Sequence, residues 1–171
     1  MKRKVPLAVL ALLLTMGLSS AAAHADTVSF TLTHPSQSIS GQAGGTLVYE
    51  VTASAPSTNG AAVNLNGDSF NAGTPLSLDD SDFFADSPPL LNPGDSETFD
   101  LFAITVPAGT LPGDYSGFFT ILGGADGGSS DVLGTVNFTT VVTPEPGSLL
   151  LLGTGLTAAF AAVRRKRFGR M

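Results

Sequence analysis

Four carboxylates crowd one short stretch of the chain, Asp79, Asp80, Asp82 and Asp86, beside the hydroxyls of Ser81 and Ser87. Such a run offers two kinds of chemistry. A pair of carboxylates at the right separation can act as acid and base on a glycosidic bond, and several hard oxygens together suit a calcium ion. The spacing completes neither pattern. Asn64-Leu65-Asn66-Gly67-Asp68 begins like a calcium loop, but the twelfth position from Asn64 is Pro75, where a Glu would close the loop. Asp126 to Asp131 resembles one copy of a glycine-rich calcium repeat, and one copy alone means little. The four aspartates are therefore read as a solvated acidic loop. They stand as weak candidates for calcium, with no metal or other cofactor assigned.

Nucleophilic catalysis fares worse. The chain has no cysteine, which removes thiolate nucleophiles, thiolate metal sites and disulfides together. Between Asp26 and Thr143 there is no Lys or Arg and a single imidazole, His34, which precedes Pro35 in an early turn. The many serines thus lack a base, and no catalytic residue is assigned. The same span carries 13 acids, among them Glu50, Asp68, Asp100 and Asp114, so the body is a polyanion near −13. A surface of that sign repels nucleic acid, which is excluded as a partner. It also leaves the fold without side-chain ion pairs except through His34, so apolar burial and the hydrogen-bond ladder must stabilise it.

The cations sit at the two ends. Met1-Lys2-Arg3-Lys4, an apolar run from Val5 to Leu18, and Ala23-His24-Ala25 form the three parts of a secretory signal peptide. Signal peptidase would cut after Ala25, with Ala23 and Ala25 as the small residues it needs. At the other end Pro144, Glu145 and Pro146 are followed by Gly147, Ser148 and an uncharged run from Leu149 to Val163, which Arg164, Arg165, Lys166 and Arg167 close. Each proline fixes its own φ and disfavours helix in the residue before it, so the triplet is extended. Ser148 can cap the helix that follows. Fifteen helical residues rise roughly 23 Å, short of the ~30 Å hydrocarbon layer, so the span is marginal. Basic residues on both outer flanks place both ends in the cytoplasm and everything between them outside.

Triplet, apolar helix and basic cluster in that order resemble the PEP-CTERM sorting tail of Gram-negative bacteria. The resemblance covers the C-terminal end only. It implies that Pro144, Glu145 and Pro146 are the motif read by exosortase, a membrane-embedded transpeptidase of cysteine type, which cleaves at or near the triplet. Leu149 to Val163 would be the retention helix and Arg164 to Arg167 the cytoplasmic anchor. The residues alone also allow an ordinary, permanent tail anchor on a calcium- or glycan-binding module. Three regions follow: a signal peptide at 1–25, an exported acidic domain at 26–143 and a sorting tail at 144–171, with the product bound for the cell surface or extracellular space. Its partners would be signal peptidase, the exosortase-type peptidase and the membrane.

Period-2 alternation recurs along the body, bounded by Gly, Pro, Asn and Ser, and no stretch of helical period interrupts it. Runs centred on Val28 to Leu32, Leu47 to Thr52, Ala61 to Leu65, Leu76 to Leu78, Glu97 to Val106, Tyr115 to Leu122 and Val132 to Val142 give about seven strands. An all-β, immunoglobulin-like antiparallel sandwich between the signal helix and a transmembrane helix is expected, with a jelly roll as the alternative. Leu111-Pro112-Gly113-Asp114-Tyr115 is similar to the turn before strand F of bacterial immunoglobulin-like domains, which would place Tyr115 at a sheet corner. In the run from Glu97, alternation puts Phe99, Leu101 and Ala103 on one face and Asp100, Phe102 and Ile104 on the other. In the last run Val132, Val136, Phe138 and Val142 share a face. Gly123 to Asp131 reads as a flexible hairpin tip.

Overall fold

The computed structural model describes residues 26–144, 147, 150–158 and 160. The signal-peptide expectations, Ala23 and Ala25 included, lie outside the described residues. Among the described residues nine strands form two packed sheets. They are β1 (Ser29–Leu32), β2 (Ser36–Ser40), β3 (Gly45–Ser54), β4 (Val63–Asn71), β5 (Ser77–Asp79), β6 (Leu90–Leu91), β7 (Ser96–Val106), β8 (Gly113–Gly124) and β9 (Asp131–Thr143), with a short helix α1 (Ser81–Asp86) between β5 and β6. One sheet has the order β1-β3-β7-β5 and the other β2-β9-β8-β4-β6. The β-sandwich is as expected, but nine strands replace seven, and one pair departs from the antiparallel rule: β2 runs parallel to β9.

The additional strands have a common cause. Ser36-Gln37-Ser38-Ile39-Ser40 carries one apolar residue, so no alternation marks β2. It forms because the chain leaving β1 crosses at His34-Pro35 into the other sheet, where the Thr139 amide donates to the Pro35 carbonyl at 2.9 Å. At the opposite edge, β5, α1 and β6 make a similar crossing. Both edges of the sandwich are thus closed by short segments that switch sheets, which leaves little edge for another chain to extend.

An aromatic cluster fills the space between the sheets. Phe102, fully buried, stacks on Tyr49 and Phe119 at centroid distances of 4.9 and 5.1 Å, and meets Phe138 at 4.8 Å. Tyr49 is equally buried and its phenol reaches across the sheets, donating to the Thr139 carbonyl at 3.1 Å and pairing with the hydroxyl of buried Thr140 at 3.0 Å. Tyr49→Phe would remove this partner from the buried Thr140 hydroxyl. A loss of about 1–3 kcal/mol is expected, read as a lower urea midpoint with an unchanged slope.

Three bulges shift the faces. Opposite Tyr49 and Glu50 the strand β7 inserts Leu101, because Tyr49 faces Phe102 and Glu50 faces Asp100. Leu101 and Phe102 are consequently both buried, and Ile104 and Val106 follow inward. The assignment of Phe102 and Ile104 to the face carrying Asp100 is therefore corrected. A bulge between Ile121 and Leu122, which face Gly134 and Val132, likewise turns Leu133 toward the core and leaves Val132 66% exposed. The third, in β4, frees Asn66.

The outer faces solve the missing-cation problem with hydroxyls. Thr52 lies opposite Thr98, Ser54 opposite Ser96 and Thr120 opposite Thr135, each pair within 2.9 Å. Such cross-strand pairs stabilise a sheet without charge.

Candidate functional site

The tail begins where the sandwich stops. Strand β9 continues to Thr143, which is held between its two neighbours: Val142 faces Gly113 of β8 and Thr143 faces Ser40 of β2. The Gly41 amide donates to the Thr143 carbonyl at 3.2 Å, and the Thr143 hydroxyl donates to the Ile39 carbonyl at 3.2 Å. Pro144 comes next, exposed and outside the ladder. It has no amide hydrogen to pair and ends the strand by that alone. No linker separates the folded domain from the triplet, although Glu145 and Pro146 themselves lie outside the described residues.

Residues 150–158 are helical, and the Leu151 amide bonds back to the Gly147 carbonyl at 2.8 Å. Leu150, Leu151, Leu152, Leu156 and Phe160 are all more than half exposed, so no part of the described protein covers this helix. The hydroxyl of Thr154 donates to the Leu150 carbonyl at 2.9 Å, which hides the polar group in the backbone. A helix that is apolar on every side belongs in a core or in lipid. Among the described residues no helix is long and apolar enough to cross a membrane. The expected span from Leu149 to Val163 is described only in part, and Arg164, Arg165, Lys166 and Arg167 lie outside the described residues.

The acidic run does not form an open loop. Asp79 closes β5, Asp80 stands at the N-cap position of α1 without a side-chain capping bond, Asp82 lies in its first turn and Asp86 ends it. The helix is pinned by Phe83, which is buried and meets Phe119 edge-on at 5.9 Å. Asp79 accepts the Ser81 amide at 3.0 Å, and this bond holds its carboxyl below the usual range. Partial burial, then the charges of Asp100, Asp86 and Asp79, push Asp82 upward. No group of three or more His, Cys, Asp or Glu side chains that could hold a metal occurs among the described residues.

The other sequence candidates also fall into structural roles. Asn64 to Asp68 is strand, not loop. The 123–131 hairpin tip is tied down: Asn66 donates to the carbonyls of Asp126 and Ser129 at 2.7 and 2.8 Å, and Asp126 accepts from the Gly128 amide and the Ser129 hydroxyl, both at 2.9 Å. Those bonds use the carboxylate that a calcium repeat would offer, and they hold it below its ordinary pKa. His34 is exposed. At the end remote from the tail, a cavity of about 450 Å³ is lined by Asp26, Val28, Val63, Asp131 and Leu133 among others.

Sequence reasoning missed Asp68. Its carboxyl is half-buried in β4, and Oδ2 is buried without a hydrogen-bond partner among the described residues. Burial, with Asp80 adding repulsion, raises its pKa from 3.8 to about 6. The folded state therefore holds this proton more tightly than the unfolded chain does. Its contribution to stability is full below pH 3.8 and is lost as the pH rises to about 6. Asp68→Asn keeps the shape and removes the charge. Allowing for solvent screening of a partly exposed group, a gain on the order of 1 kcal/mol is expected at pH 7, and none at pH 3.5. Urea midpoints at both pH values check it, and equal gains at both would sink the assignment.

Residues 142–166 match the PEP-CTERM protein-sorting motif. No curated protein matches this chain. Among solved structures, the chain is similar to native alpha-2-macroglobulin from Escherichia coli spanning domain MG7 to the C-terminus, at 22% identity and a TM-score of 0.45. That likeness covers 70% of this chain and only 17% of the other. It is also similar to WR4, a C. elegans member of the MSP family, at 8% identity and a TM-score of 0.40, over 67% of this chain and 97% of that one.

Proposed function

We propose that the chain is a non-enzymatic exported precursor, which an exosortase-type membrane peptidase recognises at Pro144, Glu145 and Pro146 and processes for the cell surface or extracellular space. The observation behind this reading is the motif match at 142–166, which begins in the last two residues of β9 and runs on through Pro144. A rigid domain ends, the acidic triplet follows at once in the sequence, and an uncovered apolar helix comes next. In that arrangement the helix and the basic residues at 164–167 hold the triplet at the outer edge of the bilayer, and cleavage there would release an intact sandwich. The tail is then a temporary membrane anchor and the N-terminal segment a signal peptide removed by signal peptidase.

The cargo is a sandwich of immunoglobulin type. Its support is the connection pattern, in which β3 to β4 and β7 to β8 each pass from one sheet to the other, together with Tyr115, whose hydroxyl donates to the Leu111 carbonyl at 2.9 Å at the corner leading into β8. An intact-mass measurement on membrane and supernatant fractions tests the proposal. The expected product starts at Asp26 and ends near the triplet; a full-length mass in cells with a working sorting peptidase would refute it.

A further inference from the structure

We infer that the tail-proximal end of the sandwich is a bilayer-contacting face, with Leu111 as its apolar contact, while the precursor is anchored. The inference rests on the membrane-anchor reading above. Three loops surround Thr143 at this end: 41–44 between β2 and β3, 72–76 between β4 and β5, and 107–112 between β7 and β8. Two of them touch, since the Gly109 amide donates to the Gly41 carbonyl at 2.8 Å, and Gly73 of the third lies against Tyr115 and Ser116 of β8. None carries a charge. Glycine and proline content does not explain this, because the loops at the far end, equally rich in them, hold Asp95 and Asp126, with Asp26 and Asp131 beside them. Among the described residues, the carboxylate next along the chain from these loops is Asp114, in the second position of β8.

The same end presents apolar surface on a fixed support. Leu111 is 75% exposed beside exposed Ala108 and Pro112. Its loop is held by the Tyr115 hydroxyl on the Leu111 carbonyl and by the Thr110 hydroxyl on the Pro107 carbonyl at 2.6 Å. A large side chain is thus held out into solvent by a rigid loop.

Reach and charge identify the occupant. Seven residue steps separate Thr143 from the first described helical residue, Leu150, a distance of at most about 25 Å even when fully extended. A tether of that length keeps the tail-proximal end the part of the domain nearest the bilayer. An anionic surface repels carboxylates within a Debye length of about 8 Å. The end whose three loops carry no charge can approach it with the least repulsion, and a leucine at the headgroup boundary then gains from burial.

The lack of native cysteine makes the test clean, because each introduced thiol is unique. Full-length precursor carrying Leu111→Cys, Ala125→Cys or Leu156→Cys is labelled with an environment-sensitive fluorophore. It is reconstituted in phosphatidylcholine vesicles, with or without phosphatidylglycerol, that contain a headgroup-depth lipid quencher and no peptidase. Blue-shifted, quenched emission is expected at 111 and 156 and water-like emission at 125, in both lipid mixtures. Quenching at 156 alone overturns this inference and leaves the anchor intact; quenching at neither 111 nor 156 overturns both. Equal quenching at 111 and 125 means the domain lies on its side, and a shift at 111 that follows protein density instead of quencher means a second copy covers it. Either result overturns the inference.

Discussion

Cells expressing the chain with alanine at Pro144, Glu145 and Pro146 are expected to accumulate full-length, membrane-bound precursor and to export no shortened product. Each substitution removes something different. Pro144→Ala restores an amide hydrogen at the end of β9 and lifts the restriction on Thr143. Pro146→Ala does the same for position 145, and Glu145→Ala removes the one charge between the sandwich and the basic cluster. The three alanines favour helix where the prolines disfavour it, so the segment between the sandwich and the membrane would lose the constraint that the prolines impose. The domain itself should be untouched, since Thr143 keeps its bonds to Gly41 and Ile39. The readout is therefore specific: unchanged thermal unfolding of the sandwich with complete loss of processing. Normal mature mass in the triple variant would remove the triplet from the mechanism. Deleting 164–171 should give mislocalised precursor by another route, because the helix would lose the cations that stop it in the membrane.

How legible these features were depends on the kind of signal. The tail is written in local chemistry, in prolines that act on their neighbours and charges that act on a membrane, and it needs no tertiary context. The sandwich is written in alternation, which served well for β1, β3 and β8. Alternation fails where a strand carries an inserted residue. Leu101 breaks the phase of β7, so a rule of period 2 places Phe102 on the wrong face even though both neighbours are correctly apolar. The same failure groups Val132 with Val136, Phe138 and Val142, whereas Val132 is exposed and Leu133 packs against the core. Strands formed by tertiary pairing, such as β2 and the two residues of β6, have no pattern of their own to read. Asp68, read only as part of an incomplete calcium loop, belongs to the same case: the bulge at Asn66 sets it opposite buried Ile121, and the charge of Asp80 adds repulsion, both long-range facts. The acidic run misled in the opposite direction, since one phenylalanine within it, Phe83, converts a solvated loop into a docked helix.

Truncating Phe102 is expected to have a large effect on stability, because the bulge in β7 turns this ring into the core. If Phe102 were on the outer face beside Asp100, its truncation would cost a few tenths of a kcal/mol. Fully buried, it contacts three rings that come from both sheets, Tyr49 from β3, Phe119 from β8 and Phe138 from β9. Phe102→Ala should therefore cost about 3–5 kcal/mol, from lost transfer energy and from a cavity that stiff strands cannot collapse. The loss is large against the 5–15 kcal/mol that a typical domain possesses. This domain has no disulfide and no lysine or arginine to compensate, and its 13 acids repel one another. Phe102→Ala is expected to unfold at a much lower urea concentration, while Phe102→Leu, which refills most of the volume, recovers part of the difference. Ala103→Ser, one residue further along β7 and half-buried, is the control for generic damage to the strand and should shift the midpoint far less. A small effect of Phe102→Ala, comparable with that control, would mean that β7 has no bulge and that the sandwich is held together by other contacts.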